Sequence, residues 1–426
     1  MIRTWVWALA ILLFGLTLSS SSIFLSGRGK LETAAPAAES PRSVLLLDKG
    51  WMIHTMPGFA LWPPKAQVTS AQIKALHCPW PGTGWKPAQL PDDYIVKGAI
   101  SRLPNASLLA GGGRCAPGGR ECGPSHPASA SALAKRAVKK KSNLRFGRSA
   151  YGGHGYLPLY PAWYRRSFSI PASAKGKSVW VNFGGVYRDA VVFVNGRFIE
   201  QHPSGYTGFR LNITSAVHIG PDNEIAVFVD PRWFEGWFYE GGGIYRHVRL
   251  IITGKLQVEP WGTFVIAKVP GPIRYGGSGG DEAAASLTIQ TTIRNDHKAG
   301  QSFTLESQVI DPAGKVVAST FSRETLGAGE RATFSQHVAL EDALLWSLSH
   351  CNRYRLATTI RTGNSAVDRK STTFGIRTIR FDPERGFFLD GKHVELRGTC
   401  NHQDFPVVGI GVPDNLWPWR IAKLKA

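Results

Sequence analysis

Residues 386–404, GFFLDGKHVELRGTCNHQD, decide how the C-terminal part of the chain is expected to fold. Two apolar segments flank Asp390-Gly391, a dipeptide that favours a two-residue hairpin turn because both residues tolerate a positive φ. A polar stretch follows the second segment. A helical pattern then begins after Asp414 as the expected N-cap, with apolar residues at helical spacing, namely Trp417, Ile421 and Leu424. Strand, polar loop and helix in this order predict the first βα unit of a larger structure.

Upstream of this segment the sequence indicates β structure. Residues 179–183 alternate, Ile225, Val227 and Val229 form another strand with a period of two, and Asn195-Gly196 gives a second hairpin signal. The alternation continues from residue 256 to residue 377, with Gly, Pro and Asn at the turns. Many short alternating strands separated by such turns are typical of β-sandwiches, so the sequence predicts a mainly β fold.

The N-terminal region carries a targeting pattern and the chain has one unusual insertion. Residues 1–26 have a short basic start, an apolar core and small residues after it, which predicts either a cleaved signal peptide or an uncleaved N-terminal anchor. The protein is therefore expected to be exported, to the periplasm or outside the cell. Residues 27–40 are expected to form a linker. Residues 99–149 are of low complexity and predict a disordered insertion, with a partner-binding arm and a frame error in the gene as alternatives.

Composition excludes several functional classes. The formal net charge is +20, but much of the excess lies in residues 97–150 and no nucleic-acid-binding motif accompanies it. We therefore expect no nucleic acid partner. Five cysteines are an odd number, and none of their spacings is that of a zinc site. The sequence predicts no metal site and no cofactor in this chain.

The quoted stretch resembles the start of the catalytic barrel in glycoside hydrolase family 2, the β-galactosidase, β-glucuronidase and β-mannosidase group. Its residues match that family's Gly-x-x-(Asn/Arg)-His-x-Asp pattern at Gly398, Asn401, His402 and Asp404. LPDDY at residues 90–94 is similar to the family's Leu-Pro-His-Asp-Trp, with aspartate in place of histidine and tyrosine in place of tryptophan. WYRRSF, YRDAVVFVNGRFI and GGGIYRHVRL resemble its sugar-binding jelly roll.

The resemblance implies a three-part architecture. Residues 41–255 would form a jelly-roll (galactose-binding-like) sandwich, and residues 256–377 an immunoglobulin-like β-sandwich. Residues 378–426 would form the first βα unit of an incomplete TIM barrel, since such a barrel takes roughly 250 residues.

The resemblance also implies the chemistry. Family members are retaining glycosidases in which one glutamate acts as acid and base and a second attacks the anomeric carbon. Both glutamates would lie on barrel strands beyond residue 426, so this chain alone is expected to have no catalytic residue and no activity. The complete enzyme would act on a carbohydrate, a terminal β-galactoside or β-glucuronide, and a cation or a homo-oligomer in that enzyme stays open. The alternative is a non-catalytic carbohydrate-binding or interaction protein.

Six residues are candidates for substrate contact. His402, Asp404 and Asn401 would lie at the C-terminal end of the first barrel strand, where such barrels bind substrate. Capping of nearby backbone is the alternative for these side chains. Further candidates come from the aromatic, glycine-rich loop of the jelly roll, which would approach the barrel mouth: Trp233, Trp237 and Glu240. The loop's aromatic rings would either stack on sugar or seal the interface between the domains.

Overall fold

The structure is a computed structural model, and it describes residues 41–56, 83–97, 157, 159–232 and 239–426. Residues 40–426 form one compact unit. The predicted signal, the predicted linker, the insertion at 99–149 and the candidates Trp233 and Trp237 all lie outside the described residues.

The first sandwich is built from two antiparallel sheets. Its described strands are β1 (Ser43–Leu46), β2 (Trp51–Thr55), β3 (Lys86–Ala88), β4 (Ala162–Ile170), β5 (Ser178–Phe183), β6 (Ala190–Val194), β7 (Arg197–His202), β8 (Phe209–Asn212), β9 (Gly220–Val229) and β10 (Val248–Thr253). One sheet has the order β1-β10-β5-β8 and the other has the order β3-β2-β4-β9-β6-β7.

Alternating residues of these strands form the core between the sheets. On β5, Val179, Val181 and Phe183 are buried and lie opposite buried residues of β10, namely Ile252, Leu250 and Val248. Side chains at every second position of a strand point to the same face, so the apolar positions of 179–183 meet those of the neighbouring strand. The alternation in the sequence therefore identified the core face of this sheet.

A second sandwich follows directly. Its described strands are β11 (Leu256–Lys268), β12 (Arg274–Gly277), β13 (Gly280–Asn295), β14 (Gln301–Ile310), β15 (Val316–Leu326), β16 (Arg331–Leu344), β17 (Tyr354–Thr362) and β18 (Ser365–Phe374). β13 pairs with β11, β12 and β16, and the facing sheet has the order β15-β14-β17-β18. The predicted mainly β fold, with one sandwich after another, is confirmed.

The last strands form a small sheet, β19 (Ile379–Asp382), β20 (Gly386–Leu389) and β21 (Lys392–Val394). Asp390 and Gly391 join β20 to β21 with φ angles of 48° and 77°, and Asn195 and Gly196 join β6 to β7 with 49° and 74°. Positive φ at both central residues is what a type I′ turn requires. Both predicted hairpins are confirmed.

The expected first barrel strand is not formed. After β21 the chain has no regular structure until α1 (Leu416–Lys425), although strand 1 was expected to end at about residue 400. A strand inside a parallel barrel takes its hydrogen bonds from neighbours on both sides, and the described residues supply none here. The start of a TIM barrel therefore stays a prediction. None of the helices described is long and apolar enough to cross a membrane.

The prediction that Asp414 caps the helix is wrong. α1 begins at Leu416, and the residue before it, Asn415, makes no capping hydrogen bond with its side chain. The Asp414 carboxylate instead accepts a hydrogen bond from Nε2 of His247, at 3.1 Å. Pro418 is the third helical residue and lies in the first turn. Backbone N–H groups of the first turn have no intrahelical acceptor, so the missing N–H of proline costs no hydrogen bond there.

Candidate functional site

Residues 395–415, here called the connecting segment, carry three of the candidate residues and lie between β21 and α1. Arg420 of α1 donates from Nη1 to the carbonyl of His402, at 3.0 Å, and from Nη2 to the carbonyl of Asp404, at 2.6 Å. Its guanidinium also lies over the Phe405 ring, 5.0 Å from the centroid. The helix therefore holds the backbone of this segment and leaves its side chains to other contacts.

The three candidates differ in their surroundings. The side chains of His402 and Asn401 are exposed, and that of Asp404 is half-buried. Asn401 donates from Nδ2 to the hydroxyl of Thr399, at 2.6 Å, which is the local hydrogen bonding that the capping alternative describes. Sugar contact by these three residues stays a prediction.

A tight turn brings the following residues to the first sandwich. Phe405 and Gly409 exchange two backbone hydrogen bonds of 2.9 Å, and Val407 at the tip is exposed with φ 76°. Beyond this turn Ile410 is buried. The connecting segment is thus anchored to the jelly roll a few residues after His402.

Asp93 forms that anchor. Its Oδ1 accepts hydrogen bonds from the backbone N–H of Ile95, at 3.1 Å, and of Gly242, at 3.2 Å. Its Oδ2 accepts from the hydroxyl of Tyr239, at 2.8 Å, and from the backbone N–H of Ile410, at 3.0 Å. We call Asp93, Tyr239, Gly242 and Ile410 the Asp93 junction, because one carboxylate joins three separate segments there.

The junction is buried, and burial controls its ionisation. Burial raises the pKa of Asp93 to about 6, and it outweighs the four hydrogen bonds, which act to lower this pKa. Burial likewise raises the pKa of Tyr239, and the charges of Asp93 and, more weakly, Asp404 act in the same direction. The carboxylate of Asp404 is thus part of the electrostatic environment of the jelly-roll loop.

A dependence of stability on pH follows from this pKa. The pKa of Asp93 is higher in the folded than in the unfolded chain, so its contribution to stability is fully present below about pH 4 and is lost as the pH rises through about 6. Asp93→Asn removes this titration. We expect the free energy of unfolding of the wild type, minus that of the variant, to fall by up to about 3 kcal/mol between pH 4 and pH 7. Urea unfolding at several pH values measures this, and a difference independent of pH would contradict it.

Glu240 lies inside the jelly roll. It has no exposed surface, and its Oε1 accepts a hydrogen bond from the Tyr206 hydroxyl at 2.6 Å. Burial, and then the neighbouring Glu240 carboxylate, raise the pKa of Tyr187. The geometry gives Glu240 a structural contact, and a sugar could reach its carboxylate only if these tyrosines moved. Its role in substrate binding stays a prediction.

A second contact ties the connecting segment to the jelly roll. Nδ1 of His247 lies 2.5 Å from the buried carboxylate of Asp48, and its Nε2 lies 3.1 Å from Asp414. An imidazole between two carboxylates presents a nitrogen to each of them. Together with the Asp93 junction, this contact fixes the segment before and after residue 412.

Of the predicted residues of the connecting segment, the structure brings Asp404 within electrostatic reach of Tyr239, and it also identifies residues that sequence reasoning missed. The missed residues are Asp93, His247 and Arg420. Two of them lie in the quoted motifs LPDDY and GGGIYRHVRL, which were the available signal. Within the described ranges, no three His, Cys, Asp or Glu side chains form a group that would hold a metal ion.

The fold consists of two sandwiches in series, followed by a segment docked on the first of them. The model of the glycosyl hydrolases family 2 sugar binding domain matches residues 159–254, and that of glycosyl hydrolases family 2 matches residues 278–377. In these two segments the chain belongs to glycosyl hydrolase family 2. The resemblance predicted from the sequence is confirmed.

The chain is also similar in sequence to β-galactosidases and β-glucuronidases. A β-galactosidase from Bacteroides ovatus is 34% identical over 61% of this chain and 30% of its own length. A β-galactosidase from Thermoanaerobacter pseudethanolicus is 31% identical over 60% of this chain and 34% of its own length. A β-glucuronidase from Formosa agariphila is 28% identical over 59% of this chain and 27% of its own. The chain thus spans about a third of the length of the curated relatives it matches.

Solved structures extend the comparison over most of the chain. A family 2 glycosyl hydrolase from Bacteroides cellulosilyticus matches 90% of this chain and 43% of its own, with a TM-score of 0.64 and 26% identity. A Bacteroides uniformis β-glucuronidase matches 90% of this chain and 38% of its own with the same TM-score, and at 22% identity it shows the fold alone.

Proposed function

We propose that this chain is the N-terminal portion of an exported family 2 glycoside hydrolase. The complete enzyme would hydrolyse terminal β-glycosides, β-galactosides or β-glucuronides, because relatives of both names match the chain over about 60% of its length. The reaction would be the retaining one, with two glutamates supplied by barrel strands that follow residue 426. The chain alone would be inactive.

The docking of the connecting segment is the observation that carries the proposal. The connecting segment belongs to neither sandwich. A module that only bound carbohydrate through its sandwiches would not need buried hydrogen bonds to this segment. Here two buried carboxylates, Asp93 and Asp48, serve that segment, one directly and one through His247. A buried carboxylate is costly unless it is hydrogen-bonded, so this arrangement is expected where the position of the segment matters.

The chain's own residues would bind and orient the sugar. His402 is exposed and would donate a hydrogen bond to a sugar hydroxyl, and Asp404 and Asn401 would accept or donate beside it. Trp233 and Trp237 would offer aromatic faces for stacking on the ring. Hydrogen bonds that strengthen as charge develops in the transition state would lower the activation barrier of glycoside hydrolysis.

Turnover of chromogenic glycosides tests the proposal. The 426-residue chain and the protein encoded by the complete reading frame that contains it are each incubated with aryl β-galactoside and aryl β-glucuronide. We expect the longer protein to release the aryl group from one of them and the 426-residue chain to release none, because the two glutamates are expected only in the longer protein.

Aryl α-galactoside is the matched control. The nucleophile of a retaining β-glycosidase attacks the α face of the sugar, and in an α-galactoside this face carries the aryl leaving group, so no hydrolysis is expected. Robust turnover by the 426-residue chain would contradict the proposed location of the glutamates. Sugar binding by the longer protein without hydrolysis of any β-glycoside would favour the alternative, a non-catalytic carbohydrate-binding protein.

Export to the periplasm or the extracellular space is part of the proposal. It is supported by the pattern of residues 1–26, which predicts either a signal peptide or a membrane anchor. N-terminal sequencing of the protein recovered from the producing cells distinguishes cleavage from anchoring. A homo-oligomer of the complete enzyme would appear in the same preparation as a multiple of the chain mass.

A further inference from the structure

We propose that Asp93 is a positioning residue, which holds the substrate-facing part of the connecting segment against the end of the aromatic jelly-roll loop. The inference rests on the proposed function for its consequence in catalysis, and on the Asp93 junction for its geometry. Asp93 is not expected to touch the sugar, because its side chain is buried and both oxygens are occupied by protein donors.

The first argument is the origin of the four donors. One of them belongs to the loop that carries Asp93, two belong to residues 239–242, and the fourth is the N–H of Ile410. These segments are far apart in the sequence, with Asp93 and Ile410 separated by 317 positions. A carboxylate used only to stabilise its own loop would not need acceptor positions aimed at two other segments.

The second argument is the space around the carboxylate. A Cβ on Gly409 would lie 2.1 Å from Oδ2 of Asp93, and a Cβ on Gly241 would lie 2.4 Å from the same oxygen. Both glycines have positive φ, at 59° and 70°. The backbone segments at Gly241 and Gly409 therefore approach the carboxylate more closely than any residue with a Cβ could. Glycine is typical of such close approaches.

The third argument is the position of the junction between the candidate binding residues. Tyr239 follows Trp237 by two residues in the sequence of the aromatic loop, and Ile410 follows His402 by eight residues through the tight turn at Phe405 and Gly409. A single carboxylate thus holds Tyr239 and Gly242 to the segment that carries His402. Misplacement of binding groups by about 1 Å can cost on the order of 100-fold in rate.

Asp93→Asn separates this role from general stability. An amide has one acceptor oxygen, and its NH₂ group cannot accept from a backbone N–H. The Tyr239 hydroxyl can reverse and accept, whereas the N–H of Ile410, or those of Ile95 and Gly242 in the flipped orientation, would lose their acceptor. The shape of the side chain stays the same.

Hydrogen exchange of the 426-residue chain gives the test, because it does not depend on activity. We expect Asp93→Asn to speed exchange of the Ile410 amide at least 10-fold, with little change in the strands of the second sandwich. Asp92→Asn is the matched control: Asp92 is equally buried, but its side chain bonds to Tyr164 and Lys97 and not to the connecting segment. Unchanged exchange at Ile410, Ile95 and Gly242 in Asp93→Asn would overturn the inference.

Gly409→Ala approaches the same contact from the other side and keeps the inference testable if Asp93→Asn does not fold. It should also expose the Ile410 amide, while the amides of the jelly-roll strands keep their protection. Exchange at Ile410 as slow as in the wild type would count against the junction.

In the longer protein, Asp93→Asn should lower kcat/KM on the order of 100-fold. Faster exchange together with a longer protein that hydrolyses no glycoside would keep the junction and reject only the proposed function.

Discussion

Asp368→Ala is expected to lower the free energy of unfolding by about 3 to 5 kcal/mol, because it breaks a buried ion pair and leaves one charge without its partner. Asp368 on β18 has no exposed surface. It accepts two hydrogen bonds from the guanidinium of Arg42, at 2.9 and 2.6 Å, and a third from the backbone N–H of Val258, at 2.7 Å. Urea or thermal unfolding at neutral pH measures the loss.

The pair lies where the two sandwiches meet. Arg42 precedes β1 of the first sandwich and also donates to the carbonyl of Val258 on β11, at 2.8 Å. Lys370 stands beside the pair, and burial, followed by the charge of Arg42, lowers its pKa to about 8. Without the Asp368 carboxylate, two half-buried cations would lie near each other.

Asp342→Ala is the matched control, since Asp342 is exposed and pairs with the exposed Arg274. Exposed ion pairs add little, so this variant should unfold like the wild type. Replacing both Arg42 and Asp368 by methionine and leucine should recover part of the loss, because apolar residues of similar size need no solvation. A change of less than about 1 kcal/mol in Asp368→Ala would contradict a structural role for the pair.

His402→Ala, made in the complete protein, is expected to lower kcat/KM on the order of 100-fold, the usual effect of removing a donor that stabilises transition-state charge. Folding should hardly change. The His402 side chain is exposed, and the contact with Arg420 uses its carbonyl, which alanine keeps. Steady-state kinetics on the preferred aryl β-glycoside, together with the melting temperature, make the measurement.

His337→Ala is the control, because His337 is also exposed but lies on β16 of the second sandwich, where it bonds to Thr288. It should leave the kinetics unchanged. If His402→Ala kept the wild-type kcat/KM, the side chain would serve only the local structure of the loop, which is the capping alternative.

Local signals in the sequence predicted local structure well. The turns at Asn195-Gly196 and Asp390-Gly391 depend on the φ preferences of two adjacent residues, and they formed as expected. The alternation of residues 179–183 marked a core face because strand geometry repeats every two residues. Such features need no information from distant parts of the chain.

Contacts between distant residues explain what the sequence did not predict. Asp414 has the properties of an N-cap, but His247, 167 positions away, takes its carboxylate. LPDDY was recognisable as a family motif, yet the role of its second aspartate depends on Ile410, which only the folded chain brings near. Glu240 was a candidate for substrate contact, and its hydrogen bond from Tyr206 inside the jelly roll could not be read from the sequence.

The ion pair between Arg42 and Asp368 has a consequence for synthesis on the ribosome. Its two residues are 326 positions apart, so at 5 to 20 residues per second Arg42 waits roughly 15 to 65 s for its partner to be translated. The first sandwich has all its described strands by residue 253 and can fold during that interval. The nascent protein should therefore pass through a stage in which the folded first domain carries an arginine that only water solvates, before the seam with the second domain closes.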